Sequence, residues 1–248
     1  MIEEMKHIVG TIVRSAGAKA HATSAKTRLI GAMAGRACMI GLAALGLMAC
    51  NNSDMKDFTT QELSLIHSTD SIMRVLTIED SLDNAVLRAP STDLSADALL
   101  SEDYAKLAEL MVATVTDPSQ DGVGIAGPQV GLNRRVIAVQ RFDKEDEDCP
   151  FEVYANIRIV EKSEATSPGS EGCLSVPGRN EEVMRSEEIV IEYADTEALK
   201  KLEAERTAGS GKDIRKVPMI RETINGFTAV IFQHEVDHLE GVLYIDRI

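Results

Sequence analysis

TAVIFQHEVDHLEG, residues 228–241, decides how the rest of the chain is read. Its apolar residues favour a helix that opens near Thr228, just past Gly226, and closes on Gly241, a residue suited to a left-handed cap. His234 and His238 stand four positions apart, one turn along the same face, so two imidazole nitrogens can reach one metal ion while Glu235 projects beside them. Two neutral ligands and a carboxylate close enough to take a proton from water are the physical content of that spacing. The same letters also suit a charged helix whose His, Glu and Asp face water, and the string alone leaves both readings open. Asp237 falls on a different face from the histidines and fits a supporting role better than a ligand.

A hydrolytic site of this kind needs a third protein ligand and one open position. EGCLSVPG, residues 171–178, offers Cys173. A lone cysteine also serves as a small buried hydrophobe, and outside the cytoplasm a Cys149–Cys173 disulfide is a further alternative. DGVGIAGPQVG, residues 121–131, supplies glycines that let backbone approach a neighbour closely, with the amide donor of Gln129 behind Pro128. Its glycine spacing loosely matches a dinucleotide fingerprint, but no apolar strand precedes it and no clear helix follows, so that reading fails on context. A plain glycine turn is the remaining alternative.

Elsewhere, LSEDYAKLAELMVATVTDP reads as a helix capped by Ser101, with Tyr104, Leu107, Met111 and Val115 at helical spacing and Asp117–Pro118 as its stop. RRVIAVQRF, YANIRIVEKSE and EEIVIEYAD read as strands, and EAERTAGSGKDIRK as an irregular, mobile excursion. With 26 Lys and Arg against 40 Asp and Glu, the formal charge is −14, a field that repels phosphate backbones. Tryptophan is absent and aromatics make up 4%, so platforms for stacking bases are scarce. Nucleic acid is not an expected partner.

Taken together, GVGIAGPQVG, EGCLSVPG and QHEVDHLEG resemble, in wording and order, the three motifs of the peptide deformylase family, with the likeness running from about Ile72 to the final VLYIDRI. The opening MRVLTIEDSLDNAVLRAPSTDLS is similar to the family's first strand and turn. The resemblance implies an α+β fold, with mixed or antiparallel sheets around a central metal-binding helix. It implies Cys173, His234 and His238 as ligands of one divalent ion, ferrous iron first, with zinc, nickel or cobalt able to substitute. It also implies Glu235 as general acid and base, Gln129 and the main-chain N–H of Leu174 as oxyanion donors, and Gly124 in the wall of the substrate channel. The implied reaction is hydrolysis of the formyl group from an N-formyl-methionyl peptide, releasing formate, by a single chain. An HExxH protease acting on other amides, or a silent binding module, would lack the need for this cysteine or for an intact Glu235 and Gln129. Three departures stand out: Gly127 replaces the usual alanine, Asn156 precedes Ile157 where proline is usual, and Arg179 lies one place nearer Cys173 than the family's arginine.

The first fifty residues differ in kind. Basic residues through Arg36 precede CMIGLAALGLMAC, the order of a secretory signal, in a run too short to span ~30 Å of hydrocarbon comfortably. Its end, Leu47–Cys50, resembles the lipobox of bacterial lipoproteins, which implies lipidation of Cys50, a membrane anchor and a site outside the cytoplasm. A start at Met33 or a cytoplasmic enzyme are the alternatives. The expected organisation is a signal-like segment over 1–49, a tether over 50–71 and a catalytic domain over 72–248.

Overall fold

The computed structural model describes residues 55–145, 148–210 and 216–248. Every described residue belongs to one compact unit, Asn52–Ile248. The signal-like segment and Cys50 lie outside the described residues.

The helices, in chain order, are α1 (Thr60–Ile66), α2 (Ser81–Leu87), α3 (Ala96–Leu99), α4 (Glu102–Thr116), α5 (Thr196–Glu205) and α6 (Gly226–Leu239). The strands are β1 (Gly124–Ala126), β2 (Val136–Gln140), β3 (Phe151–Ala155), β4 (Arg158–Lys162), β5 (Thr166–Cys173), β6 (Val176–Ser186), β7 (Glu188–Ala194) and β8 (Met219–Asn225). They form the sheets β1-β2-β3 and β4-β7-β8 and the ribbon β5-β6, with every ladder antiparallel. The fold is α+β, as expected, and α6 touches elements of all three sheets.

β2 shows why the helix sits at the centre. Val136 and Ala138 point into a core shared with Leu107, Met111 and Val115 of α4, while Ile137 and Val139 point into a second core with Ala229, Phe232 and Val236 of α6. The two-residue period of a strand thus divides one apolar run between two helices, burying it on both faces. α4 follows the sequence reading: the Ser101 side chain accepts from the Tyr104 N–H, acidic residues occupy the first turn, and Asp117 ends the helix.

Several expectations need correction. The segment read as a tether is folded from Met55 onward: Thr59 and Glu62 close a capping box on α1, Ile66 is fully buried, and Phe58 and Leu65 pack on the α4 core. Its polar letters concealed three apolar anchors. The stretch from Ile72 to Thr77 forms no strand; Leu76 N–H donates to the Gln129 carbonyl (2.8 Å) and, just beyond it, Ile78 N–H to that of Ser175 (3.0 Å). YANIRIVEKSE splits into two strands at Asn156, which has φ +52 and is fully buried. Its amide bonds both the N–H and the C=O of Leu94 (2.7 and 2.9 Å), which holds the left-handed corner in place. The supposed excursion opens on the last turn of α5, a helix capped at its start by the Asp195 side chain, and β8 follows it unforeseen.

If residues 55–66 belong to the domain as packed here, Ile66→Ala should lower unfolding stability by about 3 kcal/mol in denaturant titration. A loss under about 0.5 kcal/mol would mean the arm is not anchored through this side chain.

Candidate metal centre

Helix α6 is buried nearly all round. Ala229, Ile231, Phe232, Val236 and Leu239 fill the core, and Gln233, Glu235, Asp237 and His238 are buried with them. A charged helix facing water is therefore excluded, and each polar side chain needs a partner or a function. At the far end Gly241, at φ +71, stands against the Arg88 main chain where no side chain fits, and Val242 N–H closes the cap onto the Asp237 carbonyl (2.9 Å).

Cys173 comes from β5, at the point where the β5-β6 register shifts and a two-residue turn, Leu174–Ser175, returns the chain to Val176. Its Sγ lies 3.2 Å from His238 Nε2. The ligand atoms of Cys173, His234 and His238 all lie within 4.8 Å of one another. Donors bound ~2.1–2.3 Å from one tetrahedral ion stand ~3.3–3.8 Å apart, so this cluster needs little adjustment to hold one. A thiolate with two imidazoles is a donor set for a divalent transition metal rather than for calcium or magnesium. Cys149 and Cys173 are both free thiols, which removes the disulfide alternative.

His234 Nδ1 is 2.8 Å from Glu171 Oε2, which leaves its other ring nitrogen for the cluster. Arg185 grips Glu171 through two hydrogen bonds (2.6 and 2.9 Å) and reaches Asp237 with a third (2.6 Å). Arg247 closes the row with two bonds to Asp237, both 2.5 Å. Asp237 thus stands behind the ligands, in the supporting role its face suggested. Burial pushes Glu171 up, but Arg185 and His234 outweigh it and hold the carboxyl at about 2. Burial likewise opposes ionisation of Cys173, yet the two imidazoles hold its thiol well below the ordinary range. Tyr244 stacks on His234 at 5.9 Å and donates to the Arg179 carbonyl (2.9 Å). Arg179 itself is exposed and paired with Glu181.

Glu235, like His238 at its Nδ1, carries a polar atom, Oε2, that is buried without a hydrogen-bond partner. Burial raises its pKa to about 7 despite the pull of His234 and His238. Gly124 lies against it, where a methyl group would stand 2.5 Å from Glu235 Oε1 and 2.9 Å from Ile231 Cγ2. Gln129 is buried in a 3-10 turn, Gly127–Val130. Its Oε1 accepts from Ala126 N–H (2.8 Å), which turns Nε2 toward Ser175 Oγ (3.3 Å) and Cys173 Sγ (3.5 Å). Gly127 is packed tightly in this turn: a methyl there would lie 2.7 Å from the carbonyls of both Leu132 and Arg134.

Of the site residues named from sequence, Gly124, Gln129, Cys173, His234, Glu235 and His238 are gathered around one helix, Leu174 follows Cys173 in the turn, and Cys50 lies outside the described residues, while Glu171, Ser175, Arg185 and Tyr244 were missed. Glu171 and Ser175 flank Cys173 within the motif already quoted, so a search for partners of a histidine Nδ1 could have found Glu171. Arg185 and Tyr244 carried no local signal.

Comparison with known proteins agrees with this geometry. The polypeptide deformylase family model matches residues 72–248. The chain belongs to the polypeptide deformylase family. Its reaction is the family's, hydrolytic removal of the formyl group from the N-terminus of a peptide, and the family uses a divalent metal. Peptide deformylase 2 of Gloeobacter violaceus is 35% identical over 168 residues, covering 68% of this chain and 76% of the relative. The peptide deformylase of Caulobacter vibrioides is 33% identical over 178 residues, covering 72% and 88%. A class I type b peptide deformylase from Acinetobacter baumannii, solved with Met-Ala-Ser bound, superimposes with a TM-score of 0.57 at 32% identity, covering 73% of this chain and all of that one.

The tight fit at Gly124 yields a test. Gly124→Ala should displace the Glu235 carboxylate and cut turnover ~100-fold with the fold retained, as a small misplacement of a reacting group can. Full activity in steady-state assays of a folded variant would show that the carboxylate does not depend on this contact.

Proposed function

We infer that Cys173, His234 and His238 hold the divalent ion of this deformylase, that Glu235 moves the proton, and that Gln129 with the Leu174 N–H stabilises the oxyanion. The observation that carries this reading is the cluster of three ligand atoms within 4.8 Å beside a buried, unpartnered carboxylate on the same helix. An ion held there supplies Lewis acidity to the formyl carbonyl and to a water. Glu235, buried and lacking any competing donor on Oε2, takes a proton from that water as it attacks the formyl carbon. Gln129 Nε2, fixed through its own amide oxygen, donates to the oxygen of the tetrahedral centre, a contact worth ~3 kcal/mol in comparable sites. Glu235 then returns the proton to the amine nitrogen, the C–N bond breaks, and formate leaves.

The soft thiolate among two imidazoles suits ferrous iron as the resident metal, with zinc, nickel or cobalt as substitutes. An N-formyl-methionyl peptide is the substrate, Gly124 lies along its channel, and one chain is the working unit. The basic stretch, apolar run and Cys50 support a lipid-anchored enzyme outside the cytoplasm. Among the described residues no helix is long and apolar enough to cross a membrane.

Glu235→Gln, assayed on a formyl-Met peptide after anaerobic purification, should retain bound metal and lose ~10³-fold in kcat. An active variant would remove Glu235 from the reaction. Because the carboxylate must be ionised to accept a proton, kcat/KM should fall as pH drops, with a midpoint no higher than about 7, the value set by burial against the pull of the imidazoles, with Cys173 and Glu171 adding to the rise. A bound dication favours the carboxylate and moves that midpoint down. An acid limb centred well above 7 would contradict the assignment.

The anchor has its own readout. Cells expressing the full chain should incorporate labelled fatty acid into it, and Cys50→Ser should abolish the label. An unlabelled, freely soluble parent protein would retire the lipoprotein reading without touching the chemistry.

A further inference from the structure

The arm over residues 55–66 lies upstream of the region matched by the family, yet it is fastened to the turn that carries Gln129. The fastening is Arg134, whose side chain is 3% exposed. Its guanidinium meets both Glu62 oxygens, at 2.6 and 2.8 Å, and the carbonyls of Asp57 (2.6 Å) and Lys56 (3.3 Å), with Thr92 Oγ1 at 3.2 Å. A buried guanidinium depends on its carboxylate, because removing one partner leaves a charge without compensation.

The main chain of Arg134 is packed just as tightly. Its carbonyl and that of Leu132 press on Gly127, the first residue of the Gln129 turn, at the spacing that leaves no room for a methyl group. Leu132 N–H also donates to the Gly127 carbonyl (2.9 Å). At the other end of the turn, Leu65 of the arm lies against Gly131, where a methyl would stand 3.0 Å from its Cδ2. The arm therefore bears on both ends of the turn, and Gln129 Nε2 sits between them.

We propose that Glu62, acting through Arg134, is a positioning residue that sets where Gln129 presents its amide to the reacting carbonyl. This rests on the oxyanion role of Gln129 given above. Displacement of the arm lets the Arg134 main chain relax, the turn follows because Gly127 has no slack, and the donor moves from its line to the oxyanion.

A double-mutant cycle on the full chain tests it, using Glu62→Ala, Gln129→Ala and the pair, with a formyl-Met peptide as substrate. With Gln129 present, Glu62→Ala should lower kcat about tenfold with KM within about twofold and bound metal unchanged. In the Gln129→Ala background the same change should alter kcat by less than about twofold, since the group it positions is gone. Equal losses in both backgrounds, or no loss with Gln129 present, would overturn the proposal. If Gln129→Ala alone leaves kcat intact, the oxyanion reading fails first and the proposal with it, a result distinct from loss without coupling. Should Glu62→Ala fail to fold, Glu62→Gln, which keeps the size and hydrogen bonds but not the charge, is read through the same cycle.

Discussion

The buried row of charges behind helix α6 is the constraint on which the site depends. A helix in the middle of a protein is normally apolar on every side, but this one carries Glu235, Asp237 and His238 into the interior, with His234 largely buried beside them. Such groups are tolerated only where partners compensate them, and the partners come from elsewhere in the fold: Glu171 from β5, Arg185 from β6, and Arg247 beyond the last strand. The β5-β6 ribbon is thus more than the carrier of Cys173. It delivers the thiol on one side of α6 and neutralises the helix's other charges from behind, so ligand geometry and charge balance are set by the same two strands.

Glu235 follows a different logic from its neighbours. Glu171, equally buried, is held by Arg185 and stays ionised well into acid, whereas Glu235 receives no such hydrogen bond and is pushed by burial to about 7. Two glutamates that both feel the His234 ring therefore differ in basicity because one is paired and the other is not. The paired one fixes the His234 ring. The unpaired one is poised to exchange a proton near neutral pH.

What the sequence conveyed depended on how local the information was. The α6 pattern, the Ser101 cap of α4 and the residues within the three quoted stretches were legible because each is written in consecutive letters. β8 was not, because an edge strand with Ile224 as its sole fully buried side chain shows little alternation, and Met219 and Ile220 remain partly exposed. Arg185 was invisible for another reason. An arginine on a strand reads as a solvated residue until the opposite wall supplies Glu171 and Asp237, and those contacts span 14 and 52 residues. The arm was misread because composition weighs its many polar letters against few apolar ones, while burial depends on where Phe58, Leu65 and Ile66 fall.

Gly127 links the two halves of the problem. Considered as a letter, a glycine in place of alanine suggests a looser turn. Considered in the fold, it marks a place where two carbonyls have closed to a distance that forbids a Cβ, and one of them belongs to Arg134. The same residue sends its side chain away from the site into Glu62 and the arm's main chain. A glycine that admits tight packing and an arginine that is buried on a carboxylate are two aspects of one arrangement: the substitution removes steric resistance at the turn, and the ion pair supplies the force that holds it closed. Gln129 is carried on that turn, so on the positioning role proposed for Glu62 the placement of an amide facing Cys173 is decided partly by a helix upstream of the region the family shares.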